Sequence, residues 1–292
     1  MKGFEAERVL CPHPARSNRM KSSSASRAAR GVAVPLALAL VLAACSPKSP
    51  EPPKAPAGPP AKLGTAVLSG RVTLAGVPPA NETVTMTTDP FCSAQHPGET
   101  ELPAFAVGAD GGLANVLLRV TSGVTGTWAP PAEPRQLDQR GCAFSPRVLA
   151  LMTGQPLDIV SSDATLHNVR AAAKENAAFN LGMPAPGTKY TRTFTKPEIV
   201  PFKCDVHPWM RAWVAVVPHP FFAVTGPNGL YEIRGLPAGT YTVEAWHERL
   251  PAQTFRVTIA DREAKAHDVV FEASSAAAGP ASAGAAPAAI TP

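Results

Sequence analysis

The sequence carries little charge and few aromatic rings: Asp, Glu, Lys and Arg make up 17% of its 292 residues, and Phe, Trp and Tyr 6%. No stretch repeats apolar residues at a 3.6-residue period over several turns, which excludes a helical bundle. No apolar run reaches the roughly 18 residues that a permanent membrane helix needs. Gly-x-Ser-x-Gly and His-Glu-x-x-His are both missing, so neither a serine-nucleophile elbow nor a zinc-hydrolase helix is encoded. The seven histidines include no His-x-His pair, the donor pattern that a trinuclear metal cluster requires. These absences argue against an enzyme.

What the chain does contain points to strands. Hydrophobic residues reach 45%, enough for a proper core and too many for a disordered chain. The 33 prolines and 22 glycines break long helices and supply turns, so an all-β architecture is expected. The net charge of +5 first suggests an anionic partner, but its location decides otherwise. Residues 1–44 hold Lys2, Arg8, Arg16, Arg19, Lys21, Arg27 and Arg30 against Glu5 and Glu7; without them the 27 basic residues fall to 20 and the 22 acidic ones to 20. The rest of the chain is neutral, and a nucleic-acid partner loses its support.

That N-terminal segment reads as an address. Lys21, Arg27 and Arg30 form a basic region ahead of a short apolar run from Gly31 to Ala44, the layout of a signal peptide. Leu42-Ala43-Ala44-Cys45 resembles the lipobox of bacterial lipoproteins, which implies a lipidated Cys45 as the first mature residue. A membrane anchor, or ordinary secretion with a chance cysteine, is the alternative. Residues 1–19, with Cys11 and His13, have no place in such a signal, and Met20 is the expected initiator. Ser46 to Leu63 contains seven prolines and reads as an extended tether of up to roughly 55 Å. Ala273 to Pro292 is almost wholly Ala, Gly, Ser and Pro and reads as a disordered tail.

Gly64 to Glu272 carries the fold. Period-2 alternation marks strands at Ala66–Leu74, Thr83–Met86, Val116–Val120 and Thr240–Trp246, with turn signals at Asp110-Gly111-Gly112, Pro227-Asn228-Gly229 and Pro237-Ala238-Gly239. Ala171 to Ala178 is the single candidate helix, and equally a loop.

The informative stretch is Phe202-Lys203-Cys204-Asp205-Val206-His207-Pro208-Trp209-Met210, with Leu166-His167-Asn168-Val169 upstream. A thiolate, two imidazoles and a thioether are the donors of a mononuclear blue-copper centre, two His and one Cys in a plane with a weak axial Met. One tight loop delivers Cys204, His207 and Met210, and His167 arrives from elsewhere. Soft sulfur donors stabilise Cu(I) while imidazoles serve Cu(II), so one pocket suits both oxidation states. Zinc at the same residues, although it seldom recruits Met, and a fold that holds no metal are the competing readings.

Cys204-x-x-His207-Pro208-Trp209-Met210-Arg211, followed by the apolar run Ala212 to Val217, resembles the copper loop and last strand of the cupredoxins of the amicyanin and plastocyanin group. His167-Asn168-Val169 is similar to that group's first-histidine segment. The resemblance covers about Gln139 to Val217 and implies a Greek-key β-sandwich over 129–218 with one type 1 copper. It implies His167, Cys204 and His207 as equatorial ligands, Met210 as the axial ligand, Asn168 tying the two ligand loops together, and Pro208 and Trp209 shielding the metal.

Phe222 to Ile233 followed by Gly235 to Val243 resembles a carboxypeptidase regulatory-like, or transthyretin-like, β-sandwich over 219–272. Its usual opening strand is missing just before Phe222 and is similar to Leu68 to Leu74 far upstream. The segment 64–128 is therefore expected to pair with 219–272 around an inserted copper domain, with separate consecutive domains as the alternative. Such sandwiches imply a carbohydrate or protein ligand.

Of the remaining cysteines, Cys92 and Cys142 sit in turn-like contexts that read as exposed, and in an exported protein a structural disulfide between them is the first expectation. A second metal site at Cys92, His96 and Cys142 is the alternative. His219, His247 and His267 read as solvent-facing strand ends, with His247 a candidate for a partner surface. The combined expectation is a lipid-anchored, extracytoplasmic one-electron carrier of the bacterial envelope. It would be held to a membrane by its lipid alone and exchange electrons with a redox protein such as a c-type cytochrome. Ser46 is compatible with outer-membrane sorting. The rival is an envelope binding module whose copper site is structural or copper-handling.

Overall fold

The computed structural model describes residues 61–273; the signal segment, Cys45, most of the tether and nearly all of the tail lie outside the described residues. In chain order the first elements are β1 (Ala66–Ala75), β2 (Thr83–Thr85), the short helix α1 (Pro90–Gln95), β3 (Glu99–Glu101) and β4 (Leu117–Ser122). Nine strands follow: β5 (Arg135–Gln139), β6 (Phe144–Ser145), β7 (Val148–Met152), β8 (Pro156–Ser161), β9 (His167–Ala171), β10 (Phe179–Met183), β11 (Lys189–Thr193), β12 (Glu198–Lys203) and β13 (Arg211–Val217). The chain then forms β14 (Phe222–Val224), β15 (Leu230–Leu236), β16 (Gly239–His247), β17 (Leu250–Ile259), β18 (Ala264–Ala266) and β19 (Val269–Glu272).

The fold is all-β, with two sandwiches. Residues 135–217 build one from two sheets, ordered β10-β9-β12-β13-β7 and β11-β8-β5-β6. The other is discontinuous in sequence. β1 pairs antiparallel with β15 and parallel with β18 and β19, and β4 lies between β14 and β16. Strict alternation explains β1: Ala66, Leu68, Val72 and Leu74 all point into the core shared with Ile233, Val243 and Phe271. At the even position between them only Gly70 fits, because a Cβ there would stand 1.9 Å from the His267 carbonyl oxygen.

β7 and most of β13 are buried throughout, as a strand covered on both faces must be. One face joins the inner core with Phe202 and Leu157; the other, through Ala150 and Ala215, meets Leu117 of β4. Arg147, beside β7, adds a two-pronged ion pair to Glu248 in the β16–β17 turn, its Nη2 3.0 Å from Oε2.

The excursion between β1 and β4 does not stay with the outer sandwich. Met86 and Cys92 belong to the same core as Phe202, Trp209 and Met210, with Val84, Phe91 and Leu102 packed against it. Asp89 caps α1 by accepting the Cys92 N–H at 3.0 Å, and Pro90 starts the helix. The stretch Ala171 to Ala178 is the end of β9 and an irregular connection, with no helix.

Candidate metal centre

The four donor residues expected from the sequence are brought into one core. His167 opens β9, Cys204 follows β12, and His207 and Met210 lie in the turn before β13; none is more than 1% exposed. Backbone bonds close the loop on itself: Cys204 N–H donates to Met210 O at 3.2 Å and Met210 N–H to His207 O at 2.9 Å. One ligand atom each from His167, Cys204 and His207 lies within 4.8 Å of the others. The Cys204 Sγ accepts the N–H of His207 at 3.3 Å and of Asn168 at 3.5 Å, and its S–H donates to Asn168 Oδ1 at 3.3 Å.

Asn168 ties the two ligand segments together. Its Oδ1 accepts the N–H of Asp205 at 2.6 Å and of Val206 at 3.3 Å, while Nδ2 donates to Asn180 Oδ1 at 2.6 Å. Trp209 is 9% exposed, its ring lies tilted at 5.0 Å from the His207 ring, and it donates Nε1–H to Cys142 O at 3.1 Å. Pro208 is exposed.

The imidazoles carry the informative geometry. His167 Nδ1 and His207 Nδ1 face each other at 2.8 Å. Their Nε2 atoms face carboxylates, Asp163 Oδ2 at 3.0 Å and Asp89 Oδ2 at 3.2 Å. A nitrogen bonded to a carboxylate carries the proton, so both Nδ1 atoms present lone pairs. Two lone pairs hold a 2.8 Å approach only with a proton or a cation between them. The Cys204 sulfur completes a mixed nitrogen and sulfur donor group at that point. Burial first, and then the neighbouring His167, lower the His207 pKa from its ordinary value, which keeps the imidazole neutral and available. Burial alone would raise the Asp89 pKa, but hydrogen bonds from Thr165, the Cys92 amide, His207 and the Phe91 amide outweigh it and bring it down to about 2.

Cys92 and Cys142 are joined, with Cα atoms 5.7 Å apart. Both are fully buried rather than exposed, because α1 lies on the inner core. Cys204 is the free cysteine among the described residues. His96 does not join them; its Nε2 bonds to Gly141 O at 2.8 Å. His219 and His247 are buried, at 6% and 2% exposure, against the expectation of solvent-facing strand ends. His219 Nε2 bonds to Val120 O at 3.0 Å, while His267 stacks on Phe255 at 3.8 Å.

Asp89 and Asp163 are the site residues that sequence reasoning missed. Asp163 stands four residues before His167 and was within local reach. Asp89 lies 118 residues from its histidine, and its Asp-Pro pair signals only a helix start.

Neither a protein-family model nor a curated relative matches the chain. Solved structures similar to it include a copper-containing nitrite reductase from Thermus scotoductus, at 24% identity over 34% of this chain with a TM-score of 0.28. The match spans a quarter of that enzyme's chain (25%). A reduced single-residue variant of amicyanin is similar at 26% identity over 28% of this chain and 81% of its own, with a TM-score of 0.27. A purple cupredoxin from Nitrosopumilus maritimus is similar at 19% identity over 28% of this chain and 97% of its own, with a TM-score of 0.25.

Proposed function

We propose that the protein is a lipid-anchored, extracytoplasmic electron carrier that holds one copper ion at His167, Cys204, His207 and Met210. The observation that carries the reading is the convergence of two Nδ1 lone pairs beside a buried thiol that accepts two backbone N–H bonds. Bound there, copper supplies a one-electron couple. The chain supplies rigidity: Asn168 locks the ligand loop to β9, and burial keeps water from the donors. Small rearrangement between oxidation states favours fast exchange with an envelope redox protein such as a c-type cytochrome. Cys45 would anchor the chain; among the described residues no helix is long and apolar enough to cross a membrane.

The test is Cu(II) addition to the chain from Ser46 onward, read as the intense visible thiolate-to-copper band. Cys204→Ser is expected to abolish the band while leaving the fold intact by circular dichroism. A colourless wild-type protein that binds copper no better than the variant would overturn the reading.

The envelope binding module has one observation in its favour, a cleft of about 1020 Å³ whose lining includes Glu82, Arg147, Arg211, Trp213 and Arg249. Cys204 and Trp209 also line it, so a carbohydrate or protein seated there would touch the ligand loop. A blue protein that exchanges electrons sluggishly with every cytochrome tried would favour this reading.

A further inference from the structure

Each of the two histidines has a carboxylate behind it, and the two carboxylates reach the site from different parts of the fold. Asp163 is held by the N–H of Gly141 at 2.7 Å and of Cys142 at 2.8 Å, leaving it fixed before His167 Nε2. Asp89 comes from the excursion of the outer sandwich. Its Oδ1 accepts the Cys92 N–H, and its Oδ2 accepts the Thr165 hydroxyl at 2.6 Å and faces His207 Nε2.

The two cysteines whose amides hold these carboxylates are bonded to each other. The contacts therefore close a ring that runs from His207 through Asp89, Cys92, Cys142, Asp163 and His167 back to His207. Every member is buried except Asp89, whose side chain is 15% exposed. Neither imidazole can turn over without breaking a charge-assisted bond.

We propose that Asp89 and Asp163 are paired positioning residues: each fixes its histidine with the proton on Nε2, so that both Nδ1 atoms are presented to one cation, and the Cys92–Cys142 disulfide holds the two carboxylates in register. This rests on the assignment of His167 and His207 as metal ligands. It adds a device that the four donors do not contain. An imidazole that donates to a carboxylate is a more basic ligand, and its orientation is set before the metal arrives. The same clamp covers His207, whose ring edge is closed off by Asp89 and the disulfide, with Cys92 Sγ 3.9 Å from Nε2.

The test reads the ring protons directly. In metal-free protein labelled with ¹⁵N-histidine, long-range ¹H–¹⁵N correlations at pH 8 are expected to show the proton on Nε2 of both His167 and His207. Asp89→Ser keeps a capping oxygen for α1, but that single short oxygen is engaged by the cap and does not reach His207. Asp89→Asn has one acceptor oxygen: with that oxygen on the cap, its Nδ2 sits where Oδ2 faced His207 and presents a donor to Nε2. Asp89→Ser is expected to release the His207 tautomer and to weaken copper binding about 10–100-fold in a competition titration, while Asp89→Asn, whose amide donor faces Nε2, is expected to move the His207 proton to Nδ1 and to weaken copper at least as much. An Nε2 that lacks its proton on either histidine of the wild type, or an Asp89→Ser protein with unchanged tautomer and affinity, would overturn the clamp. If the wild type binds no copper, the carrier reading fails and the proton positions still decide the clamp.

Discussion

His247 offers a quantitative handle on the outer sandwich. It ends β16 at an inward position, 2% exposed, between the rings of Phe105 at 5.5 Å and Phe271 at 6.4 Å. Its Nδ1 accepts the Arg249 N–H at 3.3 Å, which leaves the proton on Nε2. That N–H has no partner at hydrogen-bonding geometry. Burial is the main cause that lowers the pKa from 6.5 to about 4; Arg147 and Arg249 add to it, while Glu248 and the nearby Ala104 carbonyl oppose it. As pH falls, the unfolded chain takes up its proton first, so stability is full above 6.5 and drains away down to about 4. The loss from this residue is about 2 kcal/mol at pH 5 and about 3 kcal/mol at pH 4. His247→Phe removes both the titration and the unpaired N–H. Urea unfolding of the two metal-free proteins at pH 7.5, 5 and 4 measures the difference. Burial also lowers the pKa of His207 and His219, but these are common to both proteins and cancel. The stability gap is expected to shift in favour of the variant by about 2 and then about 3 kcal/mol; a gap that stays constant over the three pH values would refute the reasoning.

Three further outcomes follow from the packing. Arg147→Met leaves Glu248, 5% exposed, without its counter-ion and is expected to cost about 3–5 kcal/mol in chemical denaturation; a paired Arg147→Met, Glu248→Met protein should recover most of it, and equal losses in both would sink the argument. Reducing the Cys92–Cys142 bond frees a loop of 50 residues, worth about 4 kcal/mol in the chain-entropy account, so melting with and without reductant should differ by many degrees. Gly70→Ala must displace the His267 carbonyl and is expected to lose about 1–3 kcal/mol; a variant that melts with the wild type would contradict the close approach of the chain at His267 to β1.

The grouping of the candidate ligands was legible because it is local. Cys204, His207 and Met210 fall within seven residues, and a turn of that length has few ways to close. The strands were legible where one face is buried: Ala66, Leu68, Val72 and Leu74 fall on one face of β1, with Gly70 in the gap between Leu68 and Val72. Failures came where distant packing decides. Nothing near Cys92 shows that α1 lies on the inner core, so the cysteine read as exposed. The same distance hid Asp89 from His207. His247 is a different case, since Tyr241, Val243 and Ala245 already put its position on the inward face. Residue type, a histidine beside Glu and Arg, overrode a pattern that was correct.

The pairing of β1 sets an order of assembly. Val72 meets Val269 across 197 residues of sequence, while residues 135–217 contain both sheets of the inner sandwich. A chain that emerges from its N-terminus can therefore finish the inner sandwich while β1 and β4 wait as open edges for their partners among β14 to β19. Such edges invite pairing with other chains, and long-range closure is slow. A chain interrupted after Val217 would keep its donor loop and still expose two unpaired strands. The first strand thus acts as a check on completeness, satisfied only when the last one has arrived.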